Sequence, residues 1–180
     1  YMISITYAVM VFSAMETDYY PRLSGVAADI KATNETVNKQ MEVSLLILSP
    51  MLMALMMLLP VLIPILFSKE FLPVIAMAQV AVLAMYFKVM TLPVAYITLA
   101  RRRSKAYSFL ETSYFVVLVI AVAIGFRLAG VLGAGVGIVV AHIFDYLMIN
   151  IFAYFRYAYR CTWVLMNYAV VQFAIACVAY

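Results

Sequence analysis

The chain has 180 residues, of which 68% are hydrophobic and 11% are charged, and its formal net charge is +4. A soluble domain has about 45–50% apolar and about 25% charged residues, so a globule of this size could not hide the apolar surface present here. The basic residues lie at the ends of apolar stretches, and no aromatic–basic motif for RNA or DNA occurs. The composition predicts a membrane protein and excludes nucleic acid as a partner.

Apolar stretches long enough to cross a bilayer as helices follow one another along the chain, because about 20 such residues span the hydrocarbon core. The opening stretch, Tyr1–Met15, is predicted to belong to an earlier span that ends within residues 1–17. Outer-membrane strands alternate apolar and polar residues, whereas these stretches are apolar on every face. The predicted fold is therefore an all-α bundle of transmembrane helices. Five complete spans are predicted within residues 43–180, at Val43–Phe67, Leu72–Ala100, Tyr107–Phe126, Val131–Phe155 and Thr162–Tyr180.

Residues 18–42 form the longest polar segment of the chain, and their apolar members recur at helical spacings. On a helix these residues would form one stripe, with Asp, Glu, Lys and Asn side chains largely on the other faces. The pattern predicts an amphipathic helix lying on the cytoplasmic surface of the membrane, and a solvated connector is the alternative. The stripe consists of Val26, Ile30, Thr33, Val37 and Met41.

The Lys and Arg residues are divided unevenly between alternate loops. Nine of them fall in the segments 18–42, 101–105 and 156–160, whereas the turns 68–70 and 127–130 hold one each. Short loops that are rich in Lys and Arg remain in the cytoplasm. The three basic segments are therefore predicted to face the cytoplasm, and the two turns are predicted to face outward.

Three ionisable residues, Lys88, His142 and Asp145, lie deep inside the predicted spans. Lys88 is 13 residues from Arg101, which places it about 20 Å from the end of its helix and too deep for its stem to reach water fully. His142 and Asp145 lie three residues apart and hence on one helical face. Residues at such depth are expected to face the bundle interior or a wet cavity. A Lys88–Asp145 pair that ties two helices together and a role in binding substrate or an ion both stay open, and His142 alone is expected to be a hydrogen-bonded packing residue.

The cysteines and glycines of the chain indicate helix packing rather than a metal or nucleotide site. Cys161 and Cys177 lack the spacing of metal ligands, so no metal or other cofactor is predicted. No G-x-x-x-x-G-K-[ST] sequence for ATP occurs. Gly133 and Gly137 form a small-xxx-small pair, which allows another helix to approach closely.

Five runs of sequence carry a resemblance to a known family. They are METDYYPRLS at Met15–Ser24, VNKQMEVSLLILSP at Val37–Pro50, LFSKEF at Leu66–Phe71, KVMTLPVAYITLARRRSKAY at Lys88–Tyr107 and GVLGAGVGIVVAH at Gly130–His142. The chain resembles the lipid-linked oligosaccharide flippases, or O-antigen translocases, of bacterial polysaccharide assembly. The resemblance runs from Met15 to Tyr157 and preserves the order of these runs and the lengths of the loops between them. These flippases belong to the multidrug/oligosaccharidyl-lipid/polysaccharide exporter superfamily. In that family a D-[FY]-[YF]-P-[RK]-L-S stretch ends a span and leads into a cytoplasmic amphipathic helix.

The resemblance implies two six-helix lobes around a central cationic cavity in the bacterial inner membrane. Because the chain begins with Tyr and its last span runs to the C-terminus, residues 1–180 are expected to be most of the second lobe, with the N-terminal lobe missing. The implied cargo is an undecaprenyl-pyrophosphate-linked glycan, whose charged headgroup needs cations to cross hydrocarbon. Lys88 is the candidate cation, with Arg22 near the entry. Asp145 and His142 complete the predicted substrate-binding set.

Four functions are considered at this point. The leading one is a flippase that works by alternating access between lobes. A cation-coupled multidrug exporter of the same superfamily is the alternative, and it would be favoured if deep acidic residues outnumbered deep cations and the cavity were mostly aromatic. A membrane enzyme, such as a polysaccharide polymerase or glycosyltransferase, needs an extended outward loop for its catalytic groups. Both predicted outward turns are only a few residues long, so no enzyme activity and no catalytic residue is predicted. A purely structural membrane subunit also remains possible.

Overall fold

A computed structural model describes residues 13, 17–66 and 72–179. All regular secondary structure in these ranges is helical, and the helices are α1 at 17–26, α2 at Ile30–Leu66, α3 at Val74–Ala100, α4 at Ser104–Tyr157 and α5 at Trp163–Ala179. The predicted earlier span within Tyr1–Met15 lies outside the described residues except for Ser13, and so does the turn at 68–70.

Three of these helices, α2, α3 and α4, are long and apolar enough to cross a membrane. Helix α5 is equally apolar in character but shorter, with 17 residues. The prediction of an all-helical fold with helices apolar enough to cross a membrane is therefore confirmed. Helices α3 and α5 begin and end within two residues of the predicted spans.

Helix α4 is a hairpin of two antiparallel arms rather than one rod. As a straight helix its 54 residues would extend about 80 Å, far beyond the thickness of a bilayer. The chain leaves helical geometry at Ala129 and Gly130, where Gly130 has φ 59° and ψ −141°. Glycine adopts this backbone conformation without the steric penalty of a side chain. The arms, 104–128 and 131–157, correspond to the third and fourth predicted spans.

The two arms pack with almost no space between their backbones. A Cβ atom on Gly125 would overlap the carbonyl group of Gly133, and a Cβ atom on Gly133 would overlap that of Gly125. One turn further along, a Cβ atom on Gly137 would overlap the carbonyl group of Ala121. The small-xxx-small pair therefore serves close packing, as predicted, and the helix that approaches it is the preceding arm of the same hairpin.

Helix α3 forms the centre of the bundle, between α2 and the α4 hairpin. Its buried residues include Val82, Val89 and Val94, each with at most 1% of its surface exposed. Large apolar side chains also cover the outside, such as Leu128 at 82% and Phe155 at 82% exposure. An outer surface of this kind suits lipid rather than water.

The segment 18–42 is not a helix of its own, contrary to the prediction. Helix α1 ends at residue 26, and α2 begins at Ile30 and continues without interruption to Leu66. The Asp29 side chain accepts hydrogen bonds from the first backbone N–H groups of α2, at 2.8 Å from Lys31 and 3.3 Å from Ala32. Residues 30–42 thus extend the first complete predicted span, Val43–Phe67, since no glycine or proline lies between Lys31 and Ser49 to stop the helix.

The predicted apolar stripe of this segment is only partly buried. Thr33, Val37 and Met41 lie in the core with at most 2% exposure, Val26 is half-buried, and Ile30 is 49% exposed. A helix that packs against a bundle and a helix that lies on a membrane share the same apolar periodicity. The apolar periodicity of residues 26–41 therefore predicted a helical segment and its inward face. It did not predict that the other helices of the bundle, rather than the membrane surface, cover that face.

The three basic segments gather at one end of the bundle. The side-chain amides of Asn34 and Asn38 donate hydrogen bonds to the carbonyl groups of Ala158 at 3.3 Å and Arg160 at 3.1 Å. The Tyr159 hydroxyl donates to Asn38 Oδ1 at 2.9 Å. Burial raises the pKa of the Tyr159 hydroxyl above its ordinary value.

The segment 101–105 joins the same end of the bundle, because the Arg101 guanidinium lies 5.0 Å above the Tyr157 ring. Helix α1 is anchored there by the Tyr19 hydroxyl, which donates to the Pro93 carbonyl at 2.7 Å. Arg127 lies at the opposite end, beside the hairpin turn. The three basic segments thus share one end of the bundle and Arg127 lies at the other, as the uneven distribution of Lys and Arg along the chain predicts.

Candidate functional site

Three ionisable side chains from three antiparallel helical segments meet inside the bundle. The Lys88 Nζ atom on α3 lies 3.7 Å from Glu111 Oε1 on the first arm of α4 and 3.7 Å from Asp145 Oδ2 on the second arm. Asp145 is fully enclosed, with 1% of its side chain exposed, whereas Lys88 and Glu111 are 22% and 20% exposed. We call these three residues the charged triad.

The local sequence explains how the hairpin aims these groups at α3. Glu111 and Tyr114 lie three residues apart on one face of the first arm, and His142 and Asp145 do so on the second arm. The close glycine contact near the turn holds the two arms side by side, so that both faces lie against the middle of α3. Each arm therefore contributes one acid and one ring side chain to the same place.

Tyr114 and His142 form a hydrogen-bonded pair next to the triad. The Lys88 Nζ atom lies 4.9 Å from the centre of the Tyr114 ring, a distance suited to a cation–π interaction. The Tyr114 hydroxyl lies 3.2 Å from His142 Nε2, and His142 Nδ1 lies 2.9 Å from the Ile138 carbonyl oxygen. Because a carbonyl oxygen only accepts, Nδ1 carries the proton in this geometry and Nε2 accepts from Tyr114. His142 thus positions Tyr114 beneath the amine, in keeping with its predicted packing role.

The charges of the triad do not balance. Two carboxyl groups face one amine, and neither oxygen of Asp145 has a hydrogen-bond partner among the described residues. A separation of 3.7 Å allows Coulombic attraction but is too long for a hydrogen bond. A buried carboxylate without hydrogen bonds is costly, so the site has unfilled capacity to accept a proton or another donor.

A cluster of aromatic side chains joins α3, the second arm of α4 and α5. The Phe87 ring lies 5.3 Å from the Phe173 ring and 6.2 Å from the Tyr146 ring, and the Tyr86 ring lies 6.1 Å from Phe173. Phe87 directly precedes Lys88 and Tyr146 directly follows Asp145 in the sequence. Of the rings named here and above, that of Tyr114 is the one in contact with the triad. Within the described ranges, no group of three His, Cys, Asp or Glu side chains is placed to hold a metal ion.

Of the four residues that the sequence singles out, the structure brings three together and leaves one apart. Lys88, Asp145 and His142 lie in the same interior cluster. Arg22 lies on the exposed face of α1 and pairs with Asp18 at 2.7 Å, with 56% and 75% of the two side chains exposed. It makes no contact with the triad, so the predicted substrate-binding set is not one continuous site.

The sequence analysis missed Glu111 and Tyr114. Glu111 lies four residues inside the predicted span Tyr107–Phe126, where an acid is easily assigned to the membrane–water boundary. The available signal was its position three residues before Tyr114, which repeats the spacing of His142 and Asp145 on the next span. Two such pairs on consecutive spans point to one shared interior site.

Comparison with known proteins adds no relative: no family model, no curated protein and no solved structure matches this chain. The structural basis for a functional proposal is therefore the bundle of apolar helices and the charged triad inside it.

Proposed function

We propose that this protein is a multi-pass transporter of the bacterial inner membrane that moves lipid-linked oligosaccharide from the inner to the outer leaflet. The observation that carries the proposal is the charged triad, in which three apolar helical segments each devote one ionisable residue to a shared interior site. Ionisable residues inside membrane helices are costly to insert, and they mark the paths of substrates and ions. The runs of sequence that resemble the flippases supply the class of cargo.

Within this proposal Lys88 acts as a cation that changes partners. In the described arrangement its amine is held between Glu111 and Asp145, so it is not free to bind an anion. During transport the amine exchanges these carboxylates for phosphate oxygens of the cargo headgroup. Protonation of either carboxylate weakens the triad and releases the amine. The N-terminal lobe that the resemblance implies would supply the further cations that a pyrophosphate requires.

A cation-coupled multidrug exporter is the second candidate, and two observations favour it. Acidic residues outnumber basic ones in the triad, with Glu111 and Asp145 against Lys88. The Tyr114 ring also lies against the site, 4.9 Å from the Lys88 Nζ atom, and the face of an aromatic ring suits an organic cation. In this alternative the proton acceptor that drives export is the Asp145 carboxyl group, which has no hydrogen-bond partner among the described residues.

Deletion of the gene in its native host separates the two candidates. A flippase deletion removes surface polysaccharide and leaves lipid-linked repeat units on the inner side of the membrane. An exporter deletion leaves polysaccharide intact and increases sensitivity to cationic drugs. Re-expression of the wild-type protein restores the affected trait in either case. A deletion that changes neither trait overturns both proposals.

Labelling of single cysteines tests the proposed orientation. In a variant whose Cys161 and Cys177 are replaced by serine, Ser104→Cys places a thiol at the basic end and Leu128→Cys places one beside the hairpin turn. Both positions are exposed, and neither substitution removes a charge. We expect a membrane-impermeant maleimide to label residue 128 in intact cells and residue 104 only after the membrane is opened. The reverse pattern would show that the basic segments face outward.

A further inference from the structure

A second group of unpartnered polar atoms lies at the basic end of the bundle, away from the triad. Arg101 ends α3, and its guanidinium lies 5.0 Å above the ring of Tyr157, the last residue of α4. The Arg101 Nε and Nη2 atoms and the Tyr157 hydroxyl are all buried without a hydrogen-bond partner among the described residues. Tyr157 itself is only 4% exposed. Leaving such groups unsatisfied is costly, so their arrangement points to a missing acceptor.

The geometry of these donors suits a tetrahedral oxyanion. Nε and Nη2 form the edge of a guanidinium that presents two parallel N–H groups, and this edge binds phosphate or carboxylate oxygens in pairs. The Tyr157 hydroxyl supplies a third donor beside it. Stacking on the Tyr157 ring fixes the plane of the guanidinium and prepares it for binding.

The surrounding charge is positive. The guanidinium groups of Arg103 and Arg156 lie close enough to the Tyr157 hydroxyl to act on it electrostatically, as does that of Arg101. Among the described residues, no ion pair involves any of these three groups. The location therefore combines three hydrogen-bond donors with three uncompensated positive charges.

We propose that Arg101 and Tyr157 form a binding site for a phosphate group at the basic end of the bundle. Arg101 holds two phosphate oxygens through Nε and Nη2, and the Tyr157 hydroxyl donates to a third. The site lies at the basic end of the bundle, where α3 and α4 end, and lipid headgroups and soluble phosphate share the phosphate chemistry that its donors suit. It is distinct from the charged triad and does not depend on the cargo that the transporter carries.

Thermal unfolding of the detergent-purified protein, titrated with dioctanoyl phosphatidylglycerol or with inorganic phosphate, tests this site. Potassium chloride at equal ionic strength is the control for screening. We expect a saturable rise in the unfolding midpoint for wild type. Arg101→Gln is expected to weaken the apparent affinity on the order of tenfold or more, because it removes charge-assisted hydrogen bonds. Tyr157→Phe keeps the ring and is expected to weaken affinity about threefold to tenfold.

The matched control is Arg102→Gln, which removes the same charge at the adjacent, exposed position. An exposed charge contributes little, so we expect a change of less than about twofold. Arg101→Lys keeps the charge without the paired donors, and its affinity should fall between those of Arg101→Gln and wild type.

The pattern of results distinguishes the sources of the phosphate. Saturation by phosphatidylglycerol at far lower concentration than inorganic phosphate supports a lipid headgroup, and comparable affinities support a soluble phosphate. Equal losses in Arg101→Gln and Arg102→Gln would reduce the effect to general positive charge and overturn the site. Absence of any saturable effect in wild type would also overturn it. If Arg101→Gln does not fold, the affinity of Tyr157→Phe tests the site alone, since this variant preserves every charge. An affinity equal to that of wild type would then overturn the site.

Discussion

Replacement of Lys88 by Ala is expected to abolish surface polysaccharide while leaving the protein in the membrane. Without the amine, Glu111 and Asp145 lose the positive charge that both contact within the described part of the chain. Removal of one partner from a buried ion pair costs about 3–5 kcal/mol, because the other charge is left uncompensated. We therefore expect a clear drop in the unfolding midpoint, together with loss of transport. Polysaccharide output in the native host and the amount of protein in membrane fractions are the two measurements.

A second substitution separates the structural role of the triad from its role in transport. Adding Asp145→Asn to Lys88→Ala removes one of the two facing carboxylates, so most of the lost stability should return. Transport should remain absent, because the amine that binds the headgroup is still missing. Lys105→Ala is the matched control, since it removes an exposed lysine from the basic end and should change neither quantity.

The opposite outcome is equally informative. Normal polysaccharide output from Lys88→Ala would remove Lys88 from the mechanism. If Lys88→Ala with Asp145→Asn regained both stability and transport, the triad would be only a link between helices. The proposal would then lose the observation that carries it.

The positions of the helices were predictable because bilayer thickness fixes the length of an apolar span. The stretches Leu72–Ala100 and Thr162–Tyr180 each correspond to one helix in the structure. The two arms of α4 were separated correctly because Arg127 and Gly130 interrupt the apolar run. The gathering of the basic segments followed from their alternation along the chain, since successive spans must reverse direction.

Contacts between helices were less predictable. Depth singled out Lys88 and Asp145, and the spacing of three placed His142 with Asp145, but the rotation of each helix about its axis is set by packing. Glu111 entered the site because the glycine contact turns the first arm toward α3. The donors of Arg101 and Tyr157 could not be found from sequence at all, since their lack of partners is a property of the folded bundle.

Gly133→Ala is expected to destabilise the bundle and to disrupt the charged triad at a distance. The new Cβ atom would overlap the carbonyl group of Gly125, and a backbone group cannot turn aside as a side chain can. Overpacking of this kind costs about 1–3 kcal/mol or more, through displacement of one arm against the other. The displacement would separate Tyr114 from His142 and Glu111 from Asp145, because each pair bridges the two arms. A lower unfolding midpoint and reduced transport are the expected measurements.

The reciprocal geometry of this contact makes the prediction sharper. Gly125→Ala places its Cβ atom against the carbonyl group of Gly133, so both substitutions force the same two backbones apart. The double variant should therefore lose clearly less stability than the sum of the losses in the two single variants.

Ala123→Val is the control in the same arm, because residue 123 is exposed and its side chain faces outward. Equal stability of Gly133→Ala and Ala123→Val would show that the arms do not touch at the glycines, and strictly additive losses would show that the two positions lie in separate contacts. Either result would remove the reason for placing Glu111 and Asp145 at one site, since only the close hairpin brings them together.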